Sequence, residues 1–283
     1  MNPKNKVTCI ITGATSGIGL ESAIQLATRG FFIIGIGRND DRCVRAFQKV
    51  KQHAEFRDPV FLNCDLSDQK QIKDLSETIC DYTDRVDVMI NNAAGIFLTR
   101  KLDAQGIEMS WSVNYLSHFL LTGLLLKKIK NWNNSKIINL SSIAHENSSI
   151  NFSDVSFEEN FNGMKSYRQS KLAMLMWTYI LADKLNKSGT SVNAVHPGII
   201  RTRLLSNNGV FSPLLNFGLK IVGKNVTKGA SNVARIADIP DDKNISGKYF
   251  YENKIQESSP NSMNKKNQIR LWLLSEQMSG FKY

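Results

Sequence analysis

The chain has 283 residues, of which 42% are hydrophobic, and its formal net charge is +11. This length and apolar content allow a large buried core in one α/β domain, so no second domain is required. The positive charge has no concentrated basic stretch, which argues against nucleic-acid binding. An acidic ligand, an anionic membrane surface or solubility alone would each account for it.

The sequence shows no pattern for secretion, membrane insertion or metal binding. Lys4 and Lys6 lead directly into the first predicted strand, without the apolar stretch of a signal peptide. The longest apolar stretch, at 116–126, is too short to cross a bilayer. The four cysteines have neither the spacing of a zinc site nor the pattern of a disulfide framework. We therefore expect a cytoplasmic protein with reduced thiols, no transmembrane segment and no metal site.

The first predicted strand, Val7 to Ile11, runs into a glycine-rich turn of the form Gly-x3-Gly-x-Gly. The strand is almost continuously apolar, as buried parallel strands are, and a helix follows from about residue 17. The three glycines allow a tight turn and leave backbone N–H groups and the positive end of the helix dipole open to a pyrophosphate. A turn without a ligand is the alternative. The candidate cofactor contacts here are Gly13, Thr15, Ser16, Gly17, Ile18 and Gly19.

Strands and helices then alternate along the chain. Further strands are predicted at 31–37, 60–64, 86–90, 136–140, 191–195 and 249–251, and further helices at 68–82, 105–130 and 164–185. Repeated strand–helix units need right-handed crossovers and give a parallel sheet that is covered on both faces. We therefore predict a single-domain α/β protein with a doubly wound parallel sheet, the Rossmann fold. Its ligands are expected outside the carboxyl ends of the strands.

The residue after the second strand bears on the choice of cofactor. In dinucleotide folds an acidic residue about twenty positions after the first glycine binds the ribose 2′-hydroxyl, whereas an arginine accommodates a 2′-phosphate. Here the strand ends in Gly37 and Arg38, and a guanidinium binds phosphate through two hydrogen bonds. We therefore expect NADP(H) in preference to NAD(H). The alternative is that Asp40 or Asp41 binds the ribose and that Arg38 is an ordinary loop residue.

Residues after the third and fourth strands are further candidates for cofactor contacts. Asp65 and Leu66 follow the third strand and are expected near the adenine. The fourth strand leads into Asn91-Asn92-Ala93-Ala94. Small side chains there would let a cofactor lie close to the backbone, so Asn92 and Ala93 are included in the predicted site.

A candidate catalytic set follows the fifth strand. Ser141 and Ser142 end that strand, and Tyr167 and Lys171, four residues apart, share one face of the next helix. A tyrosine pKa of about 10 is too high for efficient acid–base catalysis at neutral pH. An ammonium about 4 Å away would favour the phenolate by roughly 4 kcal/mol at an effective dielectric constant of about 20. Lys171 is therefore expected to lower the pKa of Tyr167.

Together these motifs resemble the short-chain dehydrogenase/reductase family over nearly the whole chain. The resemblance rests on Thr12-Gly13-x3-Gly17-x-Gly19, Asn91 to Ala94, Asn114, Ser142, Tyr167-x3-Lys171, and Pro197-Gly198 with Thr202. The chain is most similar to the retinol-dehydrogenase-like branch, through SVNYLSHFLLT at 112–122, INLSSIAH at 138–145, YRQSKLAML at 167–175, SGKYF at 246–250 and LWLLSE at 271–276. Two positions depart from the pattern: Ala94 replaces a frequent glycine, and Met174 a frequent asparagine.

The resemblance implies a role for each matching residue. Tyr167 would be the general acid in reduction and the general base in oxidation, and Lys171 would bind the nicotinamide ribose. Ser142 would hydrogen-bond the substrate oxygen, and Asn114 would hold a water in a proton relay to Lys171. The nicotinamide carboxamide would be positioned by Pro197, Gly198 and Thr202. The resemblance implies an oxidoreductase in which the cofactor carries the hydride. Arg38 favours NADP(H) as that cofactor, and the apolar residues of the stretch at about 203–224 suggest a lipophilic aldehyde, ketone or alcohol as the substrate.

Other features admit more than one interpretation. The apolar stretch at about 203–224 would by analogy form a lid over the substrate, or it packs on the core or on another subunit. His145 and His196 occupy no catalytic position of the family, so we interpret them as structural. A protein that binds cofactor or a partner without turnover is the alternative function, which the complete Asn–Ser–Tyr–Lys set disfavours. The glycine spacing disfavours a sugar-nucleotide epimerase or dehydratase, and the family suggests a homodimer or homotetramer.

Overall fold

The computed structural model describes residues 7–130, 134–198, 226–239 and 245–283. The strands in these ranges are β1 (Thr8–Thr12), β2 (Phe32–Gly37), β3 (Val60–Asn63), β4 (Val88–Asn91), β5 (Lys136–Leu140), β6 (Ser191–His196), β7 (Tyr249–Tyr251) and β8 (Lys254–Gln256). They form one sheet in the order β3-β2-β1-β4-β5-β6-β7-β8. All neighbouring pairs are parallel except β7 with β8. The predicted doubly wound α/β fold is confirmed.

Helices connect the strands and cover the sheet. Those in the described residues are α1 (Gly17–Ala27), α2 (Asp40–Lys51), α3 (Gln69–Tyr82), α4 (Met109–Trp111), α5 (Ser117–Leu124), α6 (Leu126–Lys130), α7 (Gly163–Lys184), α8 (Val226–Asp238), α9 (Pro260–Met263) and α10 (Lys265–Ser279). Asn39, Asp68 and Asn162 cap α2, α3 and α7 by accepting hydrogen bonds from N–H groups of the first turn. The predicted helices at 68–82 and 164–185 agree with α3 and α7 to within one residue.

Strands β1, β2 and β4 are almost continuously apolar because both faces of the sheet are buried there. In β1, Cys9 and Ile11 point into a core that includes side chains of α1 and α8. Ile10, between them, points into a second core that includes side chains of α3, α5, α7 and α10. A strand buried on both faces cannot alternate apolar and polar residues. This explains why the sequence predicted the strands so well.

The predicted long helix at 105–130 is wrong in its start and its continuity. The chain turns at Gly106, whose φ is +78°, and helix begins only at Met109. A π-helical turn, Ser112–Leu116, follows, in which the N–H of Ser117 bonds to the carbonyl of Ser112 five residues back. The Ser117 hydroxyl donates to the carbonyl of Val113, four residues back, at 2.8 Å.

The C-terminal part of the sheet was also predicted incompletely. Glu252 and Asn253 connect β7 and β8 with φ values of +49° and +63°, a two-residue turn with both central residues left-handed, as antiparallel hairpins favour. Beyond it, α10 packs on α7, and the hydroxyl of Tyr283 donates to the carbonyl of Phe119 at 2.7 Å. Gly123 makes this docking possible, because a Cβ there would lie 2.3 Å from the Phe281 ring.

The order of the strands places the functional site. The chain passes from β1 to β2 and β3 on one side, and then returns to place β4 on the other side of β1. A crevice opens outside the carboxyl ends of β1 and β4, where the direction of winding reverses. No helix in the described ranges is long and apolar enough to span a bilayer. The predicted lid at 203–224 and Thr202 lie outside the described residues.

Candidate active site

A cavity of about 660 Å³ opens at the carboxyl ends of the parallel strands. It brings together residues that are far apart in the sequence, from the turn after β1 to the end of β6. The predicted site residues that line it are Gly13, Thr15, Ser16, Gly17, Ile18, Gly19, Arg38, Asp65, Leu66, Asn92, Ala93, Ser142, Tyr167, Lys171, Pro197 and Gly198. Asn114 is fully buried and does not line the cavity.

The turn after β1 requires glycine where it approaches its neighbours most closely. Gly13 has a φ of +66°, and a Cβ on Gly19 would lie 2.4 Å from the carbonyl oxygen of Gly13. Helix α1 begins at Gly17, and its N-cap residue, Ser16, makes no side-chain hydrogen bond to the first turn. The first N–H groups of the helix therefore have no capping side chain. This cradle fits the pyrophosphate of a dinucleotide.

Thr12, the last residue of β1, holds the loop after β4 against this turn. Its hydroxyl oxygen accepts hydrogen bonds from the backbone N–H groups of Asn92 at 2.9 Å and Ala93 at 3.0 Å. The Asn92 side-chain amide donates in return to the carbonyl of Thr12 at 2.7 Å. We call these two loops, with residues 12–13 and 92–93, the cofactor wall. Because a Cβ on Gly13 would lie 3.0 Å from Ala93 Cα, the two loops pack without space between them.

Two arginines lie at the end of β2. Arg38 is exposed directly after the strand, and Arg42 lies in the first turn of α2; both line the cavity. The carboxylate of Asp40 instead accepts a hydrogen bond from the amide of Asn63, and neither Asp40 nor Asp41 lines the cavity. Sequence reasoning missed Arg42. The signal for it is its place in the first turn of α2, which is known only once the helix is seen to start at Asp40.

The two serines after β5 have different surroundings. The Ser141 hydroxyl is buried and donates to the backbone carbonyl of Lys171 at 3.2 Å. Ser142 lines the cavity, caps a short 3₁₀ turn by accepting a hydrogen bond from the N–H of Ala144 at 3.2 Å, and shares a side-chain hydrogen bond with Tyr167. This placement agrees with the choice of Ser142 over Ser141 as the residue facing substrate.

Tyr167 and Lys171 face the cavity from the first half of α7. Both are nearly fully buried, at 7% and 3% exposure. The Lys171 ammonium donates to the backbone carbonyl of Leu140, at the end of β5, at 2.8 Å. Its nitrogen lies 6.0 Å from the centre of the Tyr167 ring. The pair thus stands beside Ser142, as the sequence pattern predicts, but the ammonium is directed at the strand end.

The expected lowering of the tyrosine pKa is wrong for this arrangement. Burial raises the pKa of Tyr167 to about 12, although the hydrogen bond with Ser142 acts in the opposite direction. Burial also lowers the pKa of Lys171 to about 8. Desolvation disfavours the charged form of both groups. An ammonium favours the phenolate by the expected amount only at about 4 Å from the phenol, whereas Lys171 forms its hydrogen bond with Leu140.

Asn114 connects the loop after β4 to α7 from behind the cavity wall. Its side-chain oxygen accepts from the N–H of Gly95 at 2.8 Å, and its amide donates to the carbonyl of Gly95 and to the hydroxyl of Ser170, both at 3.0 Å. The Ser170 hydroxyl donates in turn to the carbonyl of Tyr167 at 2.8 Å. The contacts in the structure fix the backbone on both sides of the cavity, while the water relay implied by the resemblance stays a prediction.

Three other residues singled out in the sequence have identifiable surroundings. His145 donates from Nδ1 to the carbonyl of Ser142 at 2.6 Å and accepts at Nε2 from the N–H of Ser259 at 3.2 Å. His196 lines the cavity and stacks on Tyr251 with ring centres 4.9 Å apart. Met174 is fully buried in the core and does not line the cavity. The contacts of His145 agree with a structural role.

The sequence model of one protein family, described as short chain dehydrogenase, matches residues 7–210. The chain belongs to the short-chain dehydrogenase family. It is similar to retinol dehydrogenase 13 of Homo sapiens, with 34% identity over 281 residues that cover 96% of this chain and 84% of that protein. It therefore lies in the retinol-dehydrogenase-like branch and is an oxidoreductase of CH–OH and C=O groups.

Solved structures support the same assignment. This short-chain dehydrogenase is similar to an uncharacterised protein of Mycobacterium paratuberculosis, with a TM-score of 0.78, 27% identity, and coverage of 98% of this chain and 94% of that one. A short chain dehydrogenase of Burkholderia cenocepacia in complex with NADP shares the fold, with a TM-score of 0.68, 19% identity, and coverage of 86% and 95%. The family and the fold together give this short-chain dehydrogenase a nicotinamide cofactor.

The cavity of this short-chain dehydrogenase also has an apolar part that sequence reasoning did not identify. Ile96, Phe97, Val113, Ile143 and Met164 line it. Ile96 and Phe97 are buried, whereas Ile143 and Met164 are 42% and 40% exposed. They come from the loops after β4 and β5, from the π-helical turn and from the start of α7. Position after a strand end was the available signal, but loops lack the periodicity that reveals which side chains point inward.

Proposed function

We propose that the protein is an NADP(H)-dependent oxidoreductase that interconverts a lipophilic aldehyde or ketone and the corresponding alcohol. The observation that carries this proposal is that Ser142, Tyr167 and Lys171 share one cavity with the glycine-rich turn after β1. Acid–base groups and a dinucleotide cradle that face the same space can act on the same substrate. A bound nicotinamide would supply or accept the hydride.

The protein's own residues would manage the proton and the charge on oxygen. At neutral pH a Tyr167 pKa of about 12 keeps the phenol protonated, so it can donate a proton to a carbonyl oxygen in reduction. Ser142, already hydrogen-bonded to that phenol, would stabilise the charge that develops on the same oxygen. Lys171 would stabilise the phenolate that proton transfer leaves behind, because its pKa of about 8 keeps the ammonium largely charged at neutral pH.

The preference for NADP(H) is argued from charge at the end of β2. Arg38 and Arg42 both line the cavity there, and two guanidinium groups suit a 2′-phosphate far better than a neutral 2′-hydroxyl. An NAD(H) site would instead need a carboxylate for the ribose. The nearest candidate, Asp40, is engaged by Asn63, which weakens the alternative that the sequence left open.

The lipophilic substrate is argued from the apolar part of the cavity. Ile96, Phe97 and Val113 offer apolar surface inside it, and the half-exposed Ile143 and Met164 extend that surface to its rim. Partly exposed apolar groups at a cavity mouth gain free energy when an apolar ligand covers them, by about 25 cal/mol per Å². The similarity to a retinol dehydrogenase points in the same direction.

The alternative is a cofactor-binding regulatory or partner-binding protein without turnover. The Lys171 ammonium is only 3% exposed, and burial of a charged amine is unfavourable. A site that only binds a ligand gains nothing that would offset this cost, so the buried ammonium disfavours the alternative. The lid at 203–224, the cytoplasmic location and the homodimer or homotetramer stay predictions.

The test is turnover by the purified protein with NADPH and a panel of retinal, medium-chain aldehydes, aromatic ketones and steroids. Tyr167→Phe should lose nearly all turnover while retaining NADPH binding. Tyr179→Phe is the matched control on the same helix, because the Tyr179 hydroxyl bonds to Ser258 outside the cavity; it should remain active. Full activity of Tyr167→Phe would contradict the proposal, and NADPH binding without turnover of any substrate would favour the alternative.

A further inference from the structure

His118 is a buried histidine for which the proposed reaction gives no role. It lies on α5, is fully buried and does not line the cavity. Its Nε2 atom lies 2.9 Å from the hydroxyl oxygen of Thr12, and its Nδ1 atom lies 3.3 Å from the carbonyl oxygen of Asn114. The imidazole therefore stands between the hydroxyl that holds the cofactor wall together and the π-helical turn that contains Asn114.

The hydrogen bonds of Thr12 determine which nitrogen of His118 carries the hydrogen. A hydroxyl donates one hydrogen bond and accepts two. Both accepting positions of the Thr12 hydroxyl are taken by the N–H groups of Asn92 and Ala93. Its own hydrogen must therefore go to Nε2 of His118 at 2.9 Å or to the carbonyl of Ile90 at 3.4 Å. The shorter contact is the better hydrogen bond, so Nε2 is an acceptor.

The assignment of Nε2 fixes the rest of the ring. A neutral imidazole that accepts at Nε2 carries its hydrogen on Nδ1, and that hydrogen points to the carbonyl of Asn114. Burial lowers the pKa of His118 to about 3, and the nearby charge of Lys171 acts in the same direction. A second proton would also place a hydrogen on Nε2 facing the hydrogen of Thr12. The neutral form is therefore the one compatible with this site.

From Asn114 the hydrogen bonds continue to the catalytic helix. The Asn114 amide donates to the hydroxyl of Ser170, which donates to the carbonyl of Tyr167. The same amide donates to Gly95, in the loop after β4. His118 thus lies in a hydrogen-bonded path from the cofactor wall to α7.

We propose that His118 is a positioning residue of the cofactor site: as a neutral imidazole with its hydrogen on Nδ1, it orients the Thr12 hydroxyl that holds Asn92 and Ala93 in place, and it ties that hydroxyl to the backbone of Asn114. Its effect on NADPH binding rests on the proposed function. The protonation state does not, because it follows from contacts within the chain.

The protonation state is tested by ¹⁵N NMR of the full-length protein labelled at histidine, with His118→Phe used to assign the His118 signal. The expected spectrum is that of a neutral ring with its hydrogen on Nδ1, unchanged between about pH 5 and pH 8. A hydrogen on Nε2, or a signal that titrates in this range, would overturn the proposal. This measurement needs neither cofactor nor substrate.

The positioning role is tested by NADPH dissociation constants of three variants. His118→Gln places an amide oxygen near the former Nε2 and keeps an acceptor for Thr12, whereas His118→Asn keeps only a donor near the former Nδ1. His118→Phe keeps the ring volume and neither hydrogen bond. We expect His118→Phe and His118→Asn to weaken NADPH binding about tenfold, and His118→Gln to stay within about threefold of the wild type.

A merely structural role makes a different prediction. In that case the variants lose thermal stability, yet each folded variant binds NADPH alike, and this result would overturn the proposal. Circular dichroism identifies the folded variants. If none folds, the His118 signal of the wild type is assigned by through-bond correlation of the ring with its backbone, and it still decides the protonation state. Wild-type protein that fails to bind NADPH would contradict the proposed function instead, since the NMR result is independent of it.

Discussion

Replacing Lys171 with methionine removes the buried ammonium of α7 while keeping a side chain of similar length. The ammonium is 3% exposed and donates to the carbonyl of Leu140. Burial lowers its pKa from the ordinary value of 10.5 to about 8. The folded protein therefore binds the Lys171 proton less tightly than the unfolded chain does, and between about pH 8 and pH 10.5 the unfolded state binds more protons.

The sign and size of the effect follow from this difference. Stability rises with pH wherever the unfolded state binds more protons, so Lys171 is most unfavourable below about pH 8 and becomes less so above it. One pKa unit corresponds to about 1.4 kcal/mol, which gives roughly 3 kcal/mol over the whole range and about 2 kcal/mol up to pH 9.5. The lost hydrogen bond to Leu140 shifts the stability of the variant equally at every pH, so it does not affect this slope.

The assay is urea unfolding of the wild type and of Lys171→Met at several pH values between 7 and 9.5. We expect the wild type to gain about 2 kcal/mol relative to the variant across this range. Lys187→Met replaces an exposed lysine just after the same helix. It is the control for the effect on stability of removing any one lysine charge. If the wild type and Lys171→Met differ by the same amount at every pH, burial does not lower the pKa of the Lys171 ammonium.

Three further predictions concern the cofactor cradle and the proton donor. Gly19→Ala should weaken NADPH binding at least tenfold, because its Cβ would lie 2.4 Å from a backbone oxygen. The control is Gly106→Ala, at a φ of +78° in open space, which should cost about 1 kcal/mol of stability in urea unfolding and leave NADPH binding unchanged. Equal binding by the two variants would refute this. Arg38→Ala and Arg42→Ala should each weaken NADPH binding about tenfold or more and NADH binding little, and the NADPH dissociation constant of the wild type should rise with salt. Equal losses of affinity for both cofactors would show that the arginines do not bind the 2′-phosphate. Ser142→Ala should lower kcat about tenfold and raise the tyrosine pKa further, since the hydrogen bond that lowers it is gone; an unchanged pH–rate profile would contradict that role.

The parallel sheet was predictable because its strands leave a strong pattern. Cys9 to Ile11 are buried from both faces, so the sequence shows a continuous apolar run that ends at a glycine turn. The segment at 105–130 was not predictable in detail. Its apolar residues suggest one long helix, but the turn at Gly106 and the π-helical turn around Asn114 depend on tertiary contacts. Strand β8 was missed because its three residues are exposed.

The same distinction, between local sequence pattern and tertiary contact, separates the site residues that were predicted from those that were missed. Tyr167, Lys171 and Ser142 were found because motif spacing places them on a helix face and at a strand end. Arg42 was missed because its position depends on where α2 begins, and the apolar lining was missed because loops have no periodicity. The direction of the Lys171 ammonium was also beyond the sequence, since it is set by the carbonyl of Leu140 at the end of a different element.

Following the transferred hydride tests the proposed activity most directly. The purified protein is given NADPH carrying deuterium at the transferable position of the nicotinamide, together with a lipophilic aldehyde that it turns over, and the alcohol is analysed by mass spectrometry. We expect one deuterium per product molecule, faster turnover with NADPH than with NADH, and loss of product with Tyr167→Phe. Alcohol formed without deuterium, or formed as fast by Tyr167→Phe, would contradict the proposed activity.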